Sequence, residues 1–283
     1  MADSFAYYPG CSLHSTAREY DLSARAVCAA LGVELTELPG WSCCGASFAQ
    51  DAGELLPLAL PARNLALAQA AGRDVAIPCA ACFNRMATAD RALRESPERR
   101  ARIEEVVGFG FDGSTRPRAL LDVIARGVGP ARVAAAVRRP LAGLRLAAYY
   151  GCLLVRPSAV VQFDDPEHPT ALDELLAALG AEPVEWGEAT ECCGAGLAMS
   201  RGDVVARLVG RLLDRAAEAG ARGVVTACPL CQLNLETRQG RRRPVPVVYF
   251  TELVGLALGL PDAPAWLRRH VVDPGSTLGR FTG

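Results

Sequence analysis

Two groups of five cysteines stand out in this chain because they share one spacing. Each group has a single cysteine, then an adjacent pair, then a CxxC pair, and 34 residues separate the last two features in both groups. Thiolates are soft ligands that select zinc or iron–sulfur clusters over harder metals. The repeat therefore predicts a duplicated metal or redox site. The first group is Cys11, Cys43, Cys44, Cys79 and Cys82, and the second is Cys152, Cys192, Cys193, Cys228 and Cys231.

The number of cysteines in each group favours iron–sulfur chemistry. A structural zinc site takes four ligands in tetrahedral array, so a fifth thiolate would be surplus. A cubane [4Fe–4S] cluster also takes four, commonly from a compact CxxCxxCxxxCP run that this chain lacks. Five thiolates fit a larger or more open iron–sulfur centre. The spacing does not specify the cluster type, and zinc in one of the two groups stays an alternative.

Composition and charge limit the other classes of function. The formal net charge is −1 and the pI is near 6.3, whereas nucleic-acid binding favours a basic footprint. No apolar run approaches the roughly 18 residues of a membrane span, and the sequence begins without the features of a signal peptide. We therefore expect a cytoplasmic protein with no membrane span and no nucleic-acid partner.

A reducing compartment argues against disulfides. Structural disulfides are rare in the cytosol, where clustered cysteines more often hold metal or do redox chemistry. Adjacent cysteines such as Cys43 and Cys44 also cannot readily bridge each other without strain. Cys28 stands outside both groups, on an apolar helical pattern, and is expected to be a small buried core residue.

Strands and helices alternate along the chain, which predicts an α/β fold with parallel sheets. We expect two pseudo-symmetric Rossmann-like halves, residues 1–140 and 141–262, followed by a tail, 263–283. The predicted strands are Phe5–Tyr8, Val33–Leu38, Val75–Ile77, Leu144–Tyr150, Pro183–Trp186, Val224–Thr226 and Val245–Phe250. The predicted helices run from Ser15 or Thr16, as the cap, to about Leu31, and over Leu55–Ala71, Thr170–Leu179, Val204–Ala219 and Glu252–Leu258. The cysteines lie in loops after the strands, where the carboxyl ends of parallel strands converge.

Arginine is concentrated in the segment that connects the two halves, about residues 96–140. Residues 91 to 145 hold 12 arginines against 6 acids, and Arg241–Arg243 form a later run. Such runs are usually solvated helix faces; the alternative is a docking surface for an acidic partner or a funnel for an anionic substrate. The proline-rich tail after Leu260 is expected to be loosely held or to dock a partner.

The stretches YYPGCSLH, WSCCGA and PCAACFNR resemble the CCG-domain (cysteine-rich domain) proteins, among them the B-type subunit of heterodisulfide reductase. The resemblance extends to about residue 260 and implies two noncubane [4Fe–4S] clusters, each held by the five cysteines of one group. It also implies that the clusters flank a cleft between the halves, where a small anionic disulfide of the CoM–S–S–CoB type is reduced to two thiols. A ferredoxin-like subunit of the C type and a flavin-containing subunit of the A type would be the partners.

The same resemblance leaves a second function open. CCG proteins are also similar to electron-transfer subunits of hydroxyacid, glycerol-3-phosphate and succinate oxidoreductases. Among single residues, His14 is a candidate for proton delivery, and the alternative is a histidine in the first turn of a helix. Trp41 and Trp186 each precede an adjacent cysteine pair and either screen the sites from water or belong to the core.

Overall fold

The computed structural model describes residues 3–46, 48–240 and 244–282, which form two four-stranded, all-parallel sheets. The strand orders β2-β1-β3-β4 and β6-β5-β7-β8 are the same, so the second half repeats the first. This confirms the predicted fold class. The first sheet comprises β1 (Asp3–Tyr7), β2 (Val33–Glu37), β3 (Val75–Ile77) and β4 (Pro117–Ala119). The second comprises β5 (Arg145–Tyr149), β6 (Glu182–Pro183), β7 (Val224–Thr226) and β8 (Val247–Tyr249).

Helices cover the sheets and connect their strands. In the first half they are α1 (Gly10–Leu13), α2 (Arg18–Ala30), α3 (Leu56–Ala70), α4 (Ala80–Glu95), α5 (Pro97–Val107), α6 (Leu120–Asp122) and α7 (Pro130–Ala136), with a π-helical segment at Val123–Val128. In the second they are α8 (Ser158–Val161), α9 (Ala171–Ala178), α10 (Gly202–Glu218), α11 (Pro229–Thr237), α12 (Phe250–Ala257), α13 (Ala263–Leu267) and α14 (Gly275–Leu278). Within the described residues, no helix is both long and apolar enough to cross a bilayer.

Two local predictions were wrong. Neither Ser15 nor Thr16 caps α2, because the residue before the helix is Ala17 and it makes no side-chain cap. The Ser15 hydroxyl instead donates to the Cys11 carbonyl oxygen at 2.9 Å, within the loop that follows β1. The strand predicted over Pro183–Trp186 ends at Pro183, where pairing with β5 stops.

The two halves pack through α2 of the first and α12 of the second. The rings of Tyr20 and Tyr249 are stacked with centroids 4.1 Å apart, and the hydroxyl oxygens of Ser23 and Thr251 lie 2.7 Å apart. All four residues are buried. The buried apolar residues of both halves form one continuous core, so the two sheets belong to one packed body.

The expectation of a loosely held tail is wrong for the residues up to 282. Trp266 on α13 is 4% exposed and lies directly over Gly255 of α12, where an added Cβ would be 2.4 Å from the indole ring. The buried His270 side chain contacts Glu236 at 3.2 Å and Glu252 at 3.0 Å. The tail is therefore held by apolar packing and by a buried ionic cluster.

Most arginines of the connecting segment that the structure describes form ion pairs or hydrogen bonds within the chain. Arg118 contacts Asp122 at 2.6 Å, and Arg126 contacts Asp164 of the second half at 2.8 Å. These pairs favour a structural role for the segment. The run Arg241–Arg243 lies outside the described residues.

We expect His270→Ala to lower the free energy of unfolding by about 3–5 kcal/mol, because it leaves the buried Glu236 and Glu252 without their cation. Burial alone would lower the pKa of His270, but the two carboxylates outweigh it and raise the pKa to about 10. This stabilisation is therefore complete below the unfolded-state pKa of about 6.5 and is lost as the pH rises to about 10. Anaerobic urea unfolding between these pH values measures it. The exposed loop variant His168→Ala is the control, and equal pH slopes in wild type and His270→Ala would contradict the prediction.

Candidate metal centre

The ten cysteines of the two groups lie where strands end, as predicted. Cys11 lies in α1, in the turn after β1, and Cys79 and Cys228 directly precede α4 and α11. Cys82 and Cys231 follow in the first turns of these helices. Backbone N–H groups at helix N-termini favour negative charge, so this placement suits thiolates. The parallel sheet thus gathers sulfurs that are far apart in sequence.

Within each group, two buried sulfur atoms lie in contact. The Sγ atoms of Cys44 and Cys82 are 3.2 Å apart, and those of Cys193 and Cys231 are 3.6 Å apart. Four further pairs interact electrostatically: Cys11 with Cys43, Cys79 with Cys82, Cys152 with Cys192, and Cys228 with Cys231. All eleven cysteines are free thiols, so no disulfide competes with ligation.

The two groups meet at the interface between the halves. Cys79 of the first group interacts electrostatically with Cys228 of the second, and both are buried. The Tyr20 hydroxyl lies 3.0 Å from the Pro78 carbonyl oxygen and 3.1 Å from that of Ala227, the residues that precede these two cysteines. Tyr20 therefore holds both CxxC turns together. No pattern in the sequence indicated this role, because the second half has no matching tyrosine.

A second contact between the halves positions the loop after Cys152. The Asn84 side chain on α4 donates to the carbonyl oxygens of Leu153 at 3.1 Å and Arg156 at 2.8 Å. This loop belongs to the longer first gap of the second group. The first half thus fixes the outer ligand loop of the second half.

The outer and inner cysteines differ in exposure. Cys11, Cys43 and Cys192 are exposed and Cys152 is half-buried, whereas the other six of the two groups are buried. Each group therefore has one end at the surface and the other at the interface between the halves.

Two glycines leave space for the sulfur atoms. Gly10 has φ +72° and an added Cβ would lie 3.3 Å from the Cys82 sulfur; Gly151 has φ +66° and a Cβ there would lie 3.2 Å from the Cys231 sulfur. The backbone N–H groups of Gly45 and Gly194 donate to the sulfurs of Cys43 and Cys192 at 3.4 and 3.3 Å. Such hydrogen bonds to sulfur tune iron–sulfur centres.

Proton sharing between thiols shifts their pKa values in opposite directions. The hydrogen bond with Cys82 lowers the pKa of Cys44 to about 7, and the bond with Cys152 lowers the pKa of Cys192 to about 6. Cys28 differs, because burial raises its pKa to about 12. It is fully buried in the core, which confirms its predicted structural place. Cys28 lies outside both groups, in the apolar core, so it is not a candidate ligand.

A matching pair of tyrosines supports the adjacent cysteines in both halves. The Tyr8 hydroxyl donates to the Ser42 carbonyl oxygen at 2.8 Å, and the Tyr149 hydroxyl donates to that of Glu191 at 2.7 Å. Each acceptor precedes an adjacent cysteine pair. The tyrosine two residues before Gly-Cys in both repeats was the available signal for this support.

The tryptophans lie behind the cysteine loops and are half-buried. Trp41 donates from Nε1 to Glu37 at 3.0 Å and its ring packs edge-on against Tyr8 and His14. Trp186 donates from Nε1 to the Ala148 carbonyl oxygen at 3.0 Å. These contacts favour a packing role for both.

His14 directly follows the one-turn helix α1, and its Nε2 lies 3.3 Å from Glu37. Its contacts are with Glu37 and Trp41 rather than with a sulfur. Proton delivery by His14 stays a prediction.

The donor set fits the implied clusters in its chemistry. Five free thiols per group, backbone N–H donors aimed at sulfur and glycines that leave room beside sulfur are what a multi-atom iron–sulfur group needs. Over residues 3–46, 48–240 and 244–282, no three His, Cys, Asp or Glu side chains are arranged to chelate one metal ion.

Comparison with known proteins agrees with this geometry. The family model "CCG: Cysteine-rich domain" matches residues 5–87 and 146–236, the two halves that carry the cysteines. The chain is 34% identical to the 8-methylmenaquinol:fumarate reductase membrane anchor subunit of Wolinella succinogenes, over 96% of this chain and 98% of that one. It is 31% identical to the B-type subunit of the ferredoxin:CoB-CoM heterodisulfide reductase of Methanosarcina mazei, over 86% and 85%.

A solved structure shares the fold. A hypothetical protein from Helicobacter pylori superposes with a TM-score of 0.74 at 14% identity, over 95% of this chain. The chain spans about half, 52%, of the length of that protein.

We expect Gly151→Ala to lower the iron content of the purified protein to about half, because its methyl group would crowd the Cys231 sulfur in the second group only. A left-handed residue other than glycine also costs about 1–2 kcal/mol by itself. Gly53→Ala is the matched control, since Gly53 has φ +85° but open space around its Cβ position. Iron and acid-labile sulfide analysis measures the outcome. Equal iron loss in both variants would mean that backbone strain causes the loss, and would contradict the explanation by crowding of the Cys231 sulfur.

Proposed function

Since the chain belongs to the CCG cysteine-rich domain family, we propose that it is the catalytic iron–sulfur subunit of a heterodisulfide reductase-like complex. Cys11, Cys43, Cys44, Cys79 and Cys82 would hold one noncubane [4Fe–4S] cluster. Cys152, Cys192, Cys193, Cys228 and Cys231 would hold the other. The similarity to heterodisulfide reductase subunits of the B type supports a redox role and iron–sulfur chemistry.

The meeting of the turns that carry Cys79 and Cys228, at the interface between the halves, supports the proposal. It places two equivalent five-cysteine groups side by side, with Tyr20 fixing the backbone that precedes both cysteines. When bound, each cluster would supply one-electron chemistry, and two together match the two electrons that, with two protons from separate donors, convert a disulfide into two thiols. The substrate class proposed is a small anionic disulfide.

The chain's own residues would position and protect the reacting region. The buried inner cysteines are shielded from water by the packing of α2 against α12, whereas the exposed Cys11, Cys43 and Cys192 give access from the surface. His14, at the first group's outer edge, stays the candidate for proton delivery.

Partner subunits would dock beside the exposed cysteines. Phe48 is 83% exposed and Met199 is 93% exposed, and each lies within six residues of the second cysteine of an adjacent pair. These two side chains are the contact residues that we propose for another chain. The partners proposed are a ferredoxin-like subunit of the C type and a flavin-containing subunit of the A type, in the cytoplasm.

A second function is favoured by the similarity to the Wolinella succinogenes subunit, which covers nearly the full length of both chains. In this alternative, the chain transfers electrons within a succinate or fumarate oxidoreductase complex, with a quinol as the electron donor or a quinone as the acceptor.

Metal content tests the cluster proposal. We expect about eight irons and eight labile sulfides per chain in anaerobically purified protein, because two four-iron clusters are bound. About four irons together with one zinc would mean that zinc occupies one group. Cys28→Ala should leave the iron content unchanged, since this thiol lies in the core away from both groups.

Activity separates the two functions. We expect the complex, reduced with viologen, to split a heterodisulfide and Cys193→Ala to lower that rate by more than about 100-fold, beyond the 10–100-fold that the loss of an outer-shell partner costs. Cys28→Ala is the matched control. Oxidation of a menaquinol analogue, with no heterodisulfide turnover, would support the electron-transfer function instead.

A further inference from the structure

One position faces the adjacent cysteine pair in both halves. Asn234 lies three residues after Cys231, on α11, and donates from its side chain to the Cys193 carbonyl oxygen at 2.6 Å. Arg85 lies three residues after Cys82, on α4, and is its counterpart in the repeat. The same place therefore carries a neutral amide in the second half and a guanidinium in the first.

The charge of Arg85 is not neutralised by a neighbouring carboxylate. Its Nε is buried without a hydrogen-bond partner. Its guanidinium interacts electrostatically with Cys44. Within the described part of the chain, no Asp or Glu lies at ion-pair distance from it, although most other arginines of this region are paired. An unpaired, partly buried cation therefore acts on the first group.

The second group has an acidic neighbour beside its adjacent pair, and Arg156 donates to the Thr190 carbonyl oxygen at 3.3 Å in the same loop. Glu191 directly precedes Cys192 and interacts with it electrostatically, and the first group has the neutral Ser42 in that place. Arg211 screens Glu191 from 3.4 Å, but this arginine also pairs with Glu188 at 2.8 Å. The two groups are alike in ligands and unlike in surrounding charge.

We infer that Arg85 and Glu191 give the two clusters different reduction potentials. The cluster held by the first group is then reduced at a higher potential than the cluster held by the second. Adding an electron makes a cluster more negative, and a nearby cation stabilises that state while a nearby anion opposes it. Arg85 thus favours reduction of the first cluster before the second. The inference rests on the proposed pair of clusters.

Potentiometric titration followed by electron paramagnetic resonance tests this ordering on the cluster-loaded protein. We expect two reduction steps in wild type. Arg85→Gln should shift the higher reduction step to lower potential, and Glu191→Gln should shift the lower step to higher potential. Each variant should therefore narrow the difference between the two reduction potentials. Arg85→Lys should keep the wild-type gap, because it keeps the charge.

Arg99→Gln, on the exposed face of α5, is the control for a change of net charge alone. A gap that stays the same in both Arg85→Gln and Glu191→Gln, or an equal shift in Arg99→Gln, would overturn the inference. If Arg85→Gln loses iron, the inference is tested by comparing the two reduction potentials of Arg85→Lys and Glu191→Gln with those of wild type. Protein that carries fewer than about eight irons in wild type refutes the two-cluster proposal itself, so the two failures are distinct.

Discussion

The meeting of the two CxxC turns at Tyr20 is the constraint on which the site depends. It brings Cys79 and Cys228, from separate sheets, to one buried interface. Buried polar groups need partners, and here the thiols partner one another while Tyr20 bonds with the backbone on both sides. The packing of α2 against α12 keeps these turns in place.

The parallel sheets explain how one short motif can gather ligands from so much sequence. β1, β2 and β3 end at the same edge, so the loops after them converge although about 70 residues separate the first cysteine from the last. The same strand order in the second half brings the second group to the matching edge. The repeated sheet therefore carries a second set of five cysteines in the same strand-end loops.

The sequence predicted the parts that follow from local pattern. Alternating apolar runs located seven of the eight strands that the structure describes, and the repeated spacing located both cysteine groups. β4 was missed because Pro117 and Arg118 do not look like a strand, yet this short segment pairs with β3. The tail was misjudged because its prolines suggest loose chain, whereas the burial of Trp266 depends on space that only the folded α12 provides.

Contacts that break the repeat could not be predicted from the repeat. Tyr20 and Asn84 act between the halves and have no counterparts, and Arg85 looked like one more arginine among 30 basic residues. Their roles depend on the relative position of two sheets, which a periodic pattern does not contain. The shared tyrosine before Gly-Cys was visible, but its acceptor 34 residues away was not.

The Tyr20 hydroxyl has one hydrogen and two carbonyl oxygens within reach. It can donate fully to only one of them at a time, so strengthening its bond to one CxxC turn weakens its bond to the other. A change in charge or bond length at one CxxC turn would therefore change the hydrogen bonding of the backbone carbonyl at the other turn. One phenol shared by the two CxxC turns thus couples the hydrogen bonding of the two halves.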